Sequence, residues 1–419
     1  MSTTNLSGLS AIADDEQSTD MKASRIDRAL ETIRKHLGME IAYLSEFVEG
    51  ETVVRAVDAP GYEELARVGA AFPLEVSYCH HVFEGRLPEL IPDTSANALA
   101  ASLPVTKMVP IGSHLSLPVR RPDGSIYGMF CCLSSKPNMT LNQRDLDTMQ
   151  VFADLATEQV HAELARSEEL KAKRTRITEI LDAGRFNIAY QPICNLVRNA
   201  PIGFEALCRF DTTPYRSPDM WFNDASNCNL GEELELAAIV EAVKAFDDLP
   251  EDCYLSVNTS PDTVMRGGLA DVIGHLPLNR VVLEITEHAV VDDYQKLTDA
   301  LAPLRAAGVR VAVDDAGAGY SSLQHIVRLK PDIIKLDMSL TRDIDTDQAL
   351  RSLASALIHF SRETGATIVA EGIETESEHQ MLKMLGIYGG QGYHLGRPAD
   401  LASAITSLRA DDVKTQVVA

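Results

Sequence analysis

Apolar residues along the chain recur in different rhythms, and the changes of rhythm mark its organisation. Residues 1–22 show no sustained pattern and are rich in polar and acidic positions, so a disordered tail is expected there. From Lys22 to His36 the apolar positions Ile26, Ala29, Leu30 and Ile33 fall at helical spacing, continue to Leu37 and stop at Gly38. Ile41–Phe47 and Thr52–Val57 read as short strands around a turn at Glu49-Gly50. The segment HLSLPVRRPDGSIYGMFCCLSS predicts a hairpin that turns at Asp123-Gly124. A second helical period starts near Gln143, with Leu146, Met149, Phe152, Ala153, Ala156, Val160 and Leu164 on one face. This order of helix, antiparallel strands and helix predicts an α+β domain over residues 23–165.

The same helix continues into the polar stretch HAELARSEELKAKRTR, which predicts a helical linker over residues 166–176. It reads either as a coiled-coil seam in a homodimer or as a solvated helix. From Ile177 the rhythm changes again. Eight β-rich runs follow: FNIAYQPIC, GFEALCRF, CYLSVNTS, RVVLEITE, RVAVDDAG, DIIKLDMS, TIVAEGIE and, less regularly, GGQGYHLG. Helical stretches at Glu232–Asp247, Gln295–Ala307, Thr346–Glu363 and Ser377–Leu385 lie between them. Strands alternating with helices imply an α/β fold with a parallel sheet, and eight of them imply a closed (β/α)8 barrel over residues 177–412.

Composition narrows the function. The 419 residues suffice for two or three domains, and 45% hydrophobic with 24% charged residues is ordinary for a globular protein. No apolar run approaches the ~18 residues of a transmembrane helix. The first twenty residues lack the basic start and apolar core of a signal peptide. Asp and Glu number 61 against 38 Lys and Arg, a net charge of −23. Such a surface argues against nucleic-acid polymers and against anionic membranes. Seven Cys, an odd number without metal-ligand spacing, suit a reducing cytoplasm.

The barrel runs share a second pattern: each begins apolar and ends in an acid, an amide or a cation. Glu205 and Arg209 stand in the second run, Asn258 ends the third, and Glu284 and Glu287 end the fourth. Asp314-Asp315 ends the fifth, Lys335 and Asp337 stand in the sixth, Glu371 and Glu374 follow the seventh, and Gln391 belongs to the eighth. In such a barrel these ends converge on the face that carries active sites. One such acid alone reads most plainly as a helix cap or a surface pair; seven successive strand ends with liganding groups do not. Facing carboxylates need cations, and an all-oxygen set points to Mg2+ or Mn2+. Tandem aspartates can flank two metals, the arrangement that clamps an in-line phosphoryl displacement, with Lys335 orienting or deprotonating the attacking water. This chemistry predicts a metal-dependent phosphodiesterase. The Gly-rich piece GAGYSS after the paired Asp suits a loop that closes over the site. A glycosidase would need two acids only and leaves Asn258, Lys335 and the tandem Asp without a role.

At these residues the chain resembles the EAL-domain family of cyclic di-GMP phosphodiesterases. Glu205-Ala206-Leu207 is the signature, and YQPI, VNTS, EITE, DDAGAGYSSL, KLD, EGIE and QGYHLGRP accompany it over about residues 170–410. The resemblance implies a barrel whose FNIAYQPIC strand is antiparallel, and hydrolysis of cyclic di-GMP to linear pGpG with two Mg2+ or Mn2+. It implies metal ligation by Glu205, Asn258, Glu284, Asp314, Asp315 and Glu371, with Lys335 activating the water. Glu205, Asp314, Glu371 and Lys335 are thereby the catalytic candidates. Gln191, Arg209 and Gln391 are implied substrate contacts, Asp337 sits beside the second metal or Lys335, and Glu287 anchors the Asp-Asp loop. Where the family loop reads DDFG, this chain has Ala316 in place of the Phe. That change keeps open an alternative reading as a cyclic di-GMP receptor that does not cleave. No GGDEF motif is present, so synthesis is not expected.

The N-terminal part resembles a GAF sensory domain, through Ser77–Asp93, the strands around Asp123-Gly124 and the helix containing VFADLATEQV. The resemblance implies a small-molecule sensor of unknown ligand that regulates the barrel. Cys79, His80, His81 and His114 are candidate ligands for a haem, a metal or a redox signal. The plainer reading makes Cys79 a small buried residue and the histidines satisfied polar groups.

Overall fold

The computed structural model describes residues 25–285, 291, 293–316 and 320–406, without the side chains of 107, 108 and 320–323. The expected tail, Glu287 and residues 317–319 of the Gly-rich loop lie outside the described residues. The chain divides into two compact units, Met1–Glu169 and Leu170–Ala419. Among the described residues, no helix is long and apolar enough to cross a membrane.

In the first unit, helix α1 (Arg25–Leu37) precedes strands β1 (Ile41–Val48), β2 (Glu51–Asp58) and β3 (Ala71–Pro73). Helix α2 (Tyr78–Phe83), β4 (Leu90–Ile91), α3 (Ala98–Ser102) and α4 (Pro104–Met108) lead to the hairpin β5 (Ser113–Arg120) and β6 (Ile126–Ser134). The strands form one six-stranded sheet in the order β3-β2-β1-β6-β5-β4. Every pairing in it is antiparallel. Strand alternation sorts neighbouring residues to opposite faces. Leu44 and Cys132 join the cluster with Leu30 of α1 and Met149. Tyr43 and Cys131 face the cluster of Tyr78, Cys79 and Val82. Helix α5 (Gln143–Ala183) then runs unbroken for 41 residues. Its early apolar positions, to Val160, bury against the first sheet, whereas Ile177 and Ile180 pack with Phe210 and Trp221 of the second unit.

The second unit opens with β7 (Phe186–Asn195), β8 (Ala200–Phe210), α6 (Pro218–Asn227), α7 (Gly231–Val243) and β9 (Tyr254–Thr259). There follow α8 (Pro261–Arg266), α9 (Leu269–Ile273), β10 (Val281–Ile285), α10 (Tyr294–Ala306), β11 (Arg310–Ala316) and α11 (Tyr320–Leu329). The remainder is β12 (Ile333–Leu336), α12 (Met338–Thr341), α13 (Gln348–Thr364), β13 (Thr367–Ala370), α14 (Glu376–Leu385) and β14 (Gly389–Gly390). The eight strands close a barrel in the order β10-β11-β12-β13-β14-β7-β8-β9. Only β7 runs antiparallel to its neighbours, β8 and β14, as expected of the FNIAYQPIC run. The last run is the two-glycine strand Gly389–Gly390, where a Cβ at Gly390 would lie 2.5 Å from Leu196 and 2.6 Å from Ile373, so that only glycine fits.

A layer of inward side chains fills the barrel: Ile193, Tyr254, Val282, Ala312, Ile333 and Val369 form one cluster. Tyr254 needs the space that Gly203 leaves, since a Cβ there would stand 2.7 Å from its ring. Gly203→Ala is therefore expected to destabilise the second unit by about 1–3 kcal/mol through overpacking. Denaturant unfolding followed on that unit checks this; an unchanged midpoint would contradict the packing described.

Candidate active site and metal centre

The polar centre lies one step of the pleat beyond the apolar layer. Residues two apart on a strand share a face. Two positions after Tyr254, Val282, Ala312, Ile333 and Val369 come Ser256, Glu284, Asp314, Lys335 and Glu371. Glu205 follows Gly203 and Gln391 follows Gly389 in the same way. On β7 the order inverts, so that Gln191 precedes Ile193, because this strand runs the other way. The fold thus turns scattered residues into one ring.

Lys335 stands at its centre. Its Nζ lies 2.7 Å from Glu284 Oε2, 2.7 Å from Glu371 Oε1, 3.1 Å from Asp314 Oδ1 and 3.3 Å from Glu205 Oε2. The ammonium is 2% exposed, so these carboxylates are its solvent. Neutral donors complete the network. Asn258 Nδ2 donates to Glu205 Oε1 at 3.0 Å, and Gln391 Nε2 donates to Glu205 Oε2 at 2.7 Å and to Gln191 Oε1 at 2.9 Å. Gln191 in turn donates to the Gly396 carbonyl at 3.1 Å, and the Ser256 hydroxyl donates to Glu284 Oε1 at 2.5 Å.

Electrostatics divides the acids. Burial pushes Glu205 up, but Lys335 and the bonds from Gln391 and Asn258 outweigh it and hold the carboxyl below its usual range. Burial and the neighbouring Glu205 push Glu284 well above its ordinary value. Burial likewise carries Glu371 up to about 8, against the pull of Lys335. Burial pushes Lys335 down, and the surrounding Asp314, Glu205, Glu284 and Glu371 more than reverse this. One ammonium is too little charge for its acids. The site protonates some of them unless further cations enter.

The tandem aspartates meet a geometric obstacle, because consecutive strand residues face opposite sides. A break in the β11–β12 register between Val313 and Ala316 removes it. Asp315 adopts a left-handed backbone, φ 53°, and the strand bulges. As a result Asp314, Asp315 and Glu371 each bring a ligand oxygen within 4.8 Å of one another. A cavity of about 900 Å³ opens beside this group, lined by Glu205, Arg209, Asn258, Asp314 and Asp315 together with Phe222.

Nearly all the candidates from the sequence thus meet at this mouth. Arg209 lines the cavity but donates to its neighbour's carbonyl, at Cys208. Asp337 accepts from the Ser339 amide at 2.9 Å and caps α12. Glu374 pairs with Arg342 away from the ring. Glu287 lies outside the described residues. Ala316 is fully buried and pairs with Leu336. Sequence reasoning missed Ser256, although its spacing from Asn258 on one strand face was available. It also missed Glu235 of α7, whose carboxylate accepts from the Ser260 amide at 2.8 Å; no local pattern ties that helix to the strand end.

In the first unit, His114 is fully buried, neither of its ring nitrogens is hydrogen-bonded, and burial lowers its pKa to about 3. Cys79 contacts the Cys131 thiol and the Tyr43 hydroxyl, each at 3.4 Å. Among the described residues, no three of Cys79, His80, His81 and His114 gather as metal ligands. Cys79 is the small buried residue expected, but His114 is not a satisfied polar group, since no hydrogen-bond partner reaches its ring.

Comparison with known proteins gives a family for each unit. The EAL-domain family model matches residues 174–398 and the GAF-domain model residues 23–160. An uncharacterised protein of Mycobacterium tuberculosis is 32% identical over 240 residues, covering 53% of this chain and 78% of that protein. Another from the same organism is 30% identical over 266 residues, which cover 60% of this chain; the chain spans only 41% of that relative's length. Among solved structures, the PaMucR phosphodiesterase in complex with c-di-GMP is similar with a TM-score of 0.50 and 28% identity, over 55% of this chain and 99% of that one. The EAL enzyme Bd1971, with cAMP and cyclic-di-GMP bound, gives a TM-score of 0.54 over 88% of this chain and 93% of that one; at 18% identity the likeness is one of fold alone.

The raised acids give stability a pH signature. Between the ordinary glutamate value of 4.5 and about 8, the folded chain keeps a proton on Glu371 that the unfolded chain has released. Stability contributed this way is full below that window and is lost as pH rises through it. The depressed Glu205 acts with the opposite sign, at pH below the window. Without divalent metal, the thermal midpoint of the second unit is expected to fall between about pH 5 and 8, and saturating Mg2+ to flatten the slope. Differential scanning calorimetry checks this; a metal-free midpoint that rises across the window would contradict it.

Proposed function

The chain belongs to the EAL-domain family and carries a GAF domain ahead of the barrel; from that premise we propose that it hydrolyses cyclic di-GMP to linear pGpG with two divalent cations, Mg2+ or Mn2+. The observation that carries the reading is the excess of buried carboxylate around Lys335. The donor set is all oxygen: Glu205, Asn258, Glu284, Asp314, Asp315 and Glu371 would hold the cations. That set fits Mg2+ and Mn2+ and offers no imidazole or thiolate to softer ions. Such cations, when bound, supply the Lewis acidity that polarises a phosphodiester and activates water.

The chain's own groups do the rest. Gln391, fixed between Glu205 and Gln191, keeps the ring in register, and its Oε1 is buried without a partner, an acceptor left for substrate. Arg209 on the cavity wall supplies a fork of donors for a phosphate. The volume of about 900 Å³ suits a ligand of dinucleotide size, and Phe222 offers a face for a base. Lys335 Nζ holds a proton by virtue of four carboxylates. Once those oxygens are engaged elsewhere, burial drives the ammonium toward releasing its proton, which suits a group that orients and then deprotonates water. We further propose that a ligand of the GAF domain regulates the barrel through α5, which is continuous from one unit into the other.

A second reading, a receptor that binds cyclic di-GMP without cleaving it, is favoured by one observation: Ala316 is small and buried where the family loop has a Phe. Product analysis separates the two. Incubated with cyclic di-GMP and Mn2+, the full chain is expected to release pGpG. Glu205→Ala should lower turnover at least about 100-fold, beyond the 10–100-fold typical of losing a mere supporting partner of a metal ligand. Lys335→Ala should lower kcat more than it raises KM. Tight binding of cyclic di-GMP with no pGpG would transfer the assignment to the receptor.

A further inference from the structure

A second group of potential ligands stands apart from the carboxylate ring, where the first turn of α14 meets the segment after β14. Glu376 and His379 are three apart on α14 and so share a face. His394 comes in from the segment after β14. His394 Nε2 lies 3.0 Å from Glu376 Oε2, and His379 Nδ1 lies 3.8 Å from the same oxygen. One ligand atom from each of the three falls within 4.8 Å of the others.

The buried member of the group is already oriented as a ligand. His379 is 2% exposed, and its Nε2 lies 3.2 Å from the Leu196 carbonyl oxygen. A carbonyl only accepts, so Nε2 carries a hydrogen, and the nitrogen left to ligate a metal is Nδ1. No hydrogen bond reaches Nδ1. A metal-binding imidazole commonly has this arrangement, one nitrogen donated to a carbonyl and the other left for the ion. Glu376 is supported too: its Oε1 accepts from Gln380 Nε2 at 2.6 Å, while its Oε2 accepts from His394 Nε2 at 3.0 Å, a hydrogen that an incoming ion would displace. The side chains of Glu376 and His394 are 63% and 29% exposed, so an ion can enter from solvent.

We propose that Glu376, His379 and His394 form a site for a borderline transition-metal dication of the zinc class. Metal–ligand bonds of about 2.0–2.2 Å at tetrahedral angles set the ligand atoms roughly 3.3 Å apart. The His394–Glu376 pair, at 3.0 Å, is already near that spacing, the His379–Glu376 pair stands about half an ångström wider at 3.8 Å, and the three ligand atoms, all within 4.8 Å of one another, close inward on an ion. Two imidazoles and one carboxylate favour Zn2+ over Mg2+, the reverse of the oxygen set around Lys335. With three protein ligands, the fourth position is left to water. Occupancy staples together two segments that carry catalytic candidates. Glu371 lies five residues before Glu376, and Gln391 three before His394. The segments are already linked, through the His394 amide to the Ile373 carbonyl at 3.0 Å and the Ile373 amide to the Gln391 carbonyl at 3.1 Å.

The test titrates Co2+ into the full chain in saturating Mg2+, reads the visible absorption of nitrogen-ligated cobalt, and then displaces it with Zn2+. The wild-type chain is expected to show one such Zn2+-displaceable equivalent that His394→Ala and Glu376→Gln each weaken at least tenfold. Gln380→Leu, which removes the support of the carboxylate, should cost about tenfold. Zn2+ should raise the thermal midpoint of the wild type and not that of His394→Ala. Glu376→Gln changes a largely exposed side chain and keeps the test decisive if His394→Ala does not fold. Unchanged cobalt spectra and affinity in Glu376→Gln, or no Zn2+-displaceable spectrum in the wild type, would overturn the site.

Discussion

Four carboxylates stand within 3.3 Å of a single ammonium inside a closed barrel, and this crowding governs the second unit. Like charges at such separations repel strongly where water is excluded. Lys335 relieves part of that repulsion, and amide and hydroxyl donors from Asn258, Gln391 and Ser256 relieve more. What remains appears as acids driven toward protonation, Glu284 and Glu371 above all. Removing one member of a buried ionic group strands the others, which makes the ring interdependent. The same imbalance that strains the metal-free chain is an affinity for divalent cations.

The barrel sustains this arrangement because the layer beneath it is apolar and tightly packed. Tyr254 seals against Gly203, and the guanidinium of Arg310 lies 4.6 Å over the tyrosine ring. Every strand contributes an apolar residue to that layer or a glycine that makes room for one, then a polar residue one pleat onward. The mouth is thus polar by the alternation of the strands and not by a separate set of loops. Where alternation alone would send Asp315 to the wrong side, a bulge with a left-handed residue corrects it.

The two candidate metal centres show how donor chemistry divides labour within one barrel. The inner set is oxygen only and tied to a buried ammonium. The outer set, at the start of α14, joins imidazoles to one carboxylate and opens to solvent. Glu371 and Gln391 of the inner set stand on the segments that follow β13 and β14, the same segments that lead to the outer set.

Much of this was legible in the sequence. Strand runs that start apolar and end polar, read from Glu205 to Gln391, identified the barrel and its mouth, because a two-residue period and a strand end are local properties of the chain. The antiparallel course of β7 came from family resemblance, not from pattern. Tertiary structure alone decided the rest. It set which acids lie against Lys335, how Asp315 turns inward, that Asp337 caps a helix, and that Glu376, His379 and His394 converge. The physical reason is the same in each case: a residue's type and period are written locally, whereas distance, burial and the electrostatic company that it keeps arise only when strands far apart in sequence are brought side by side.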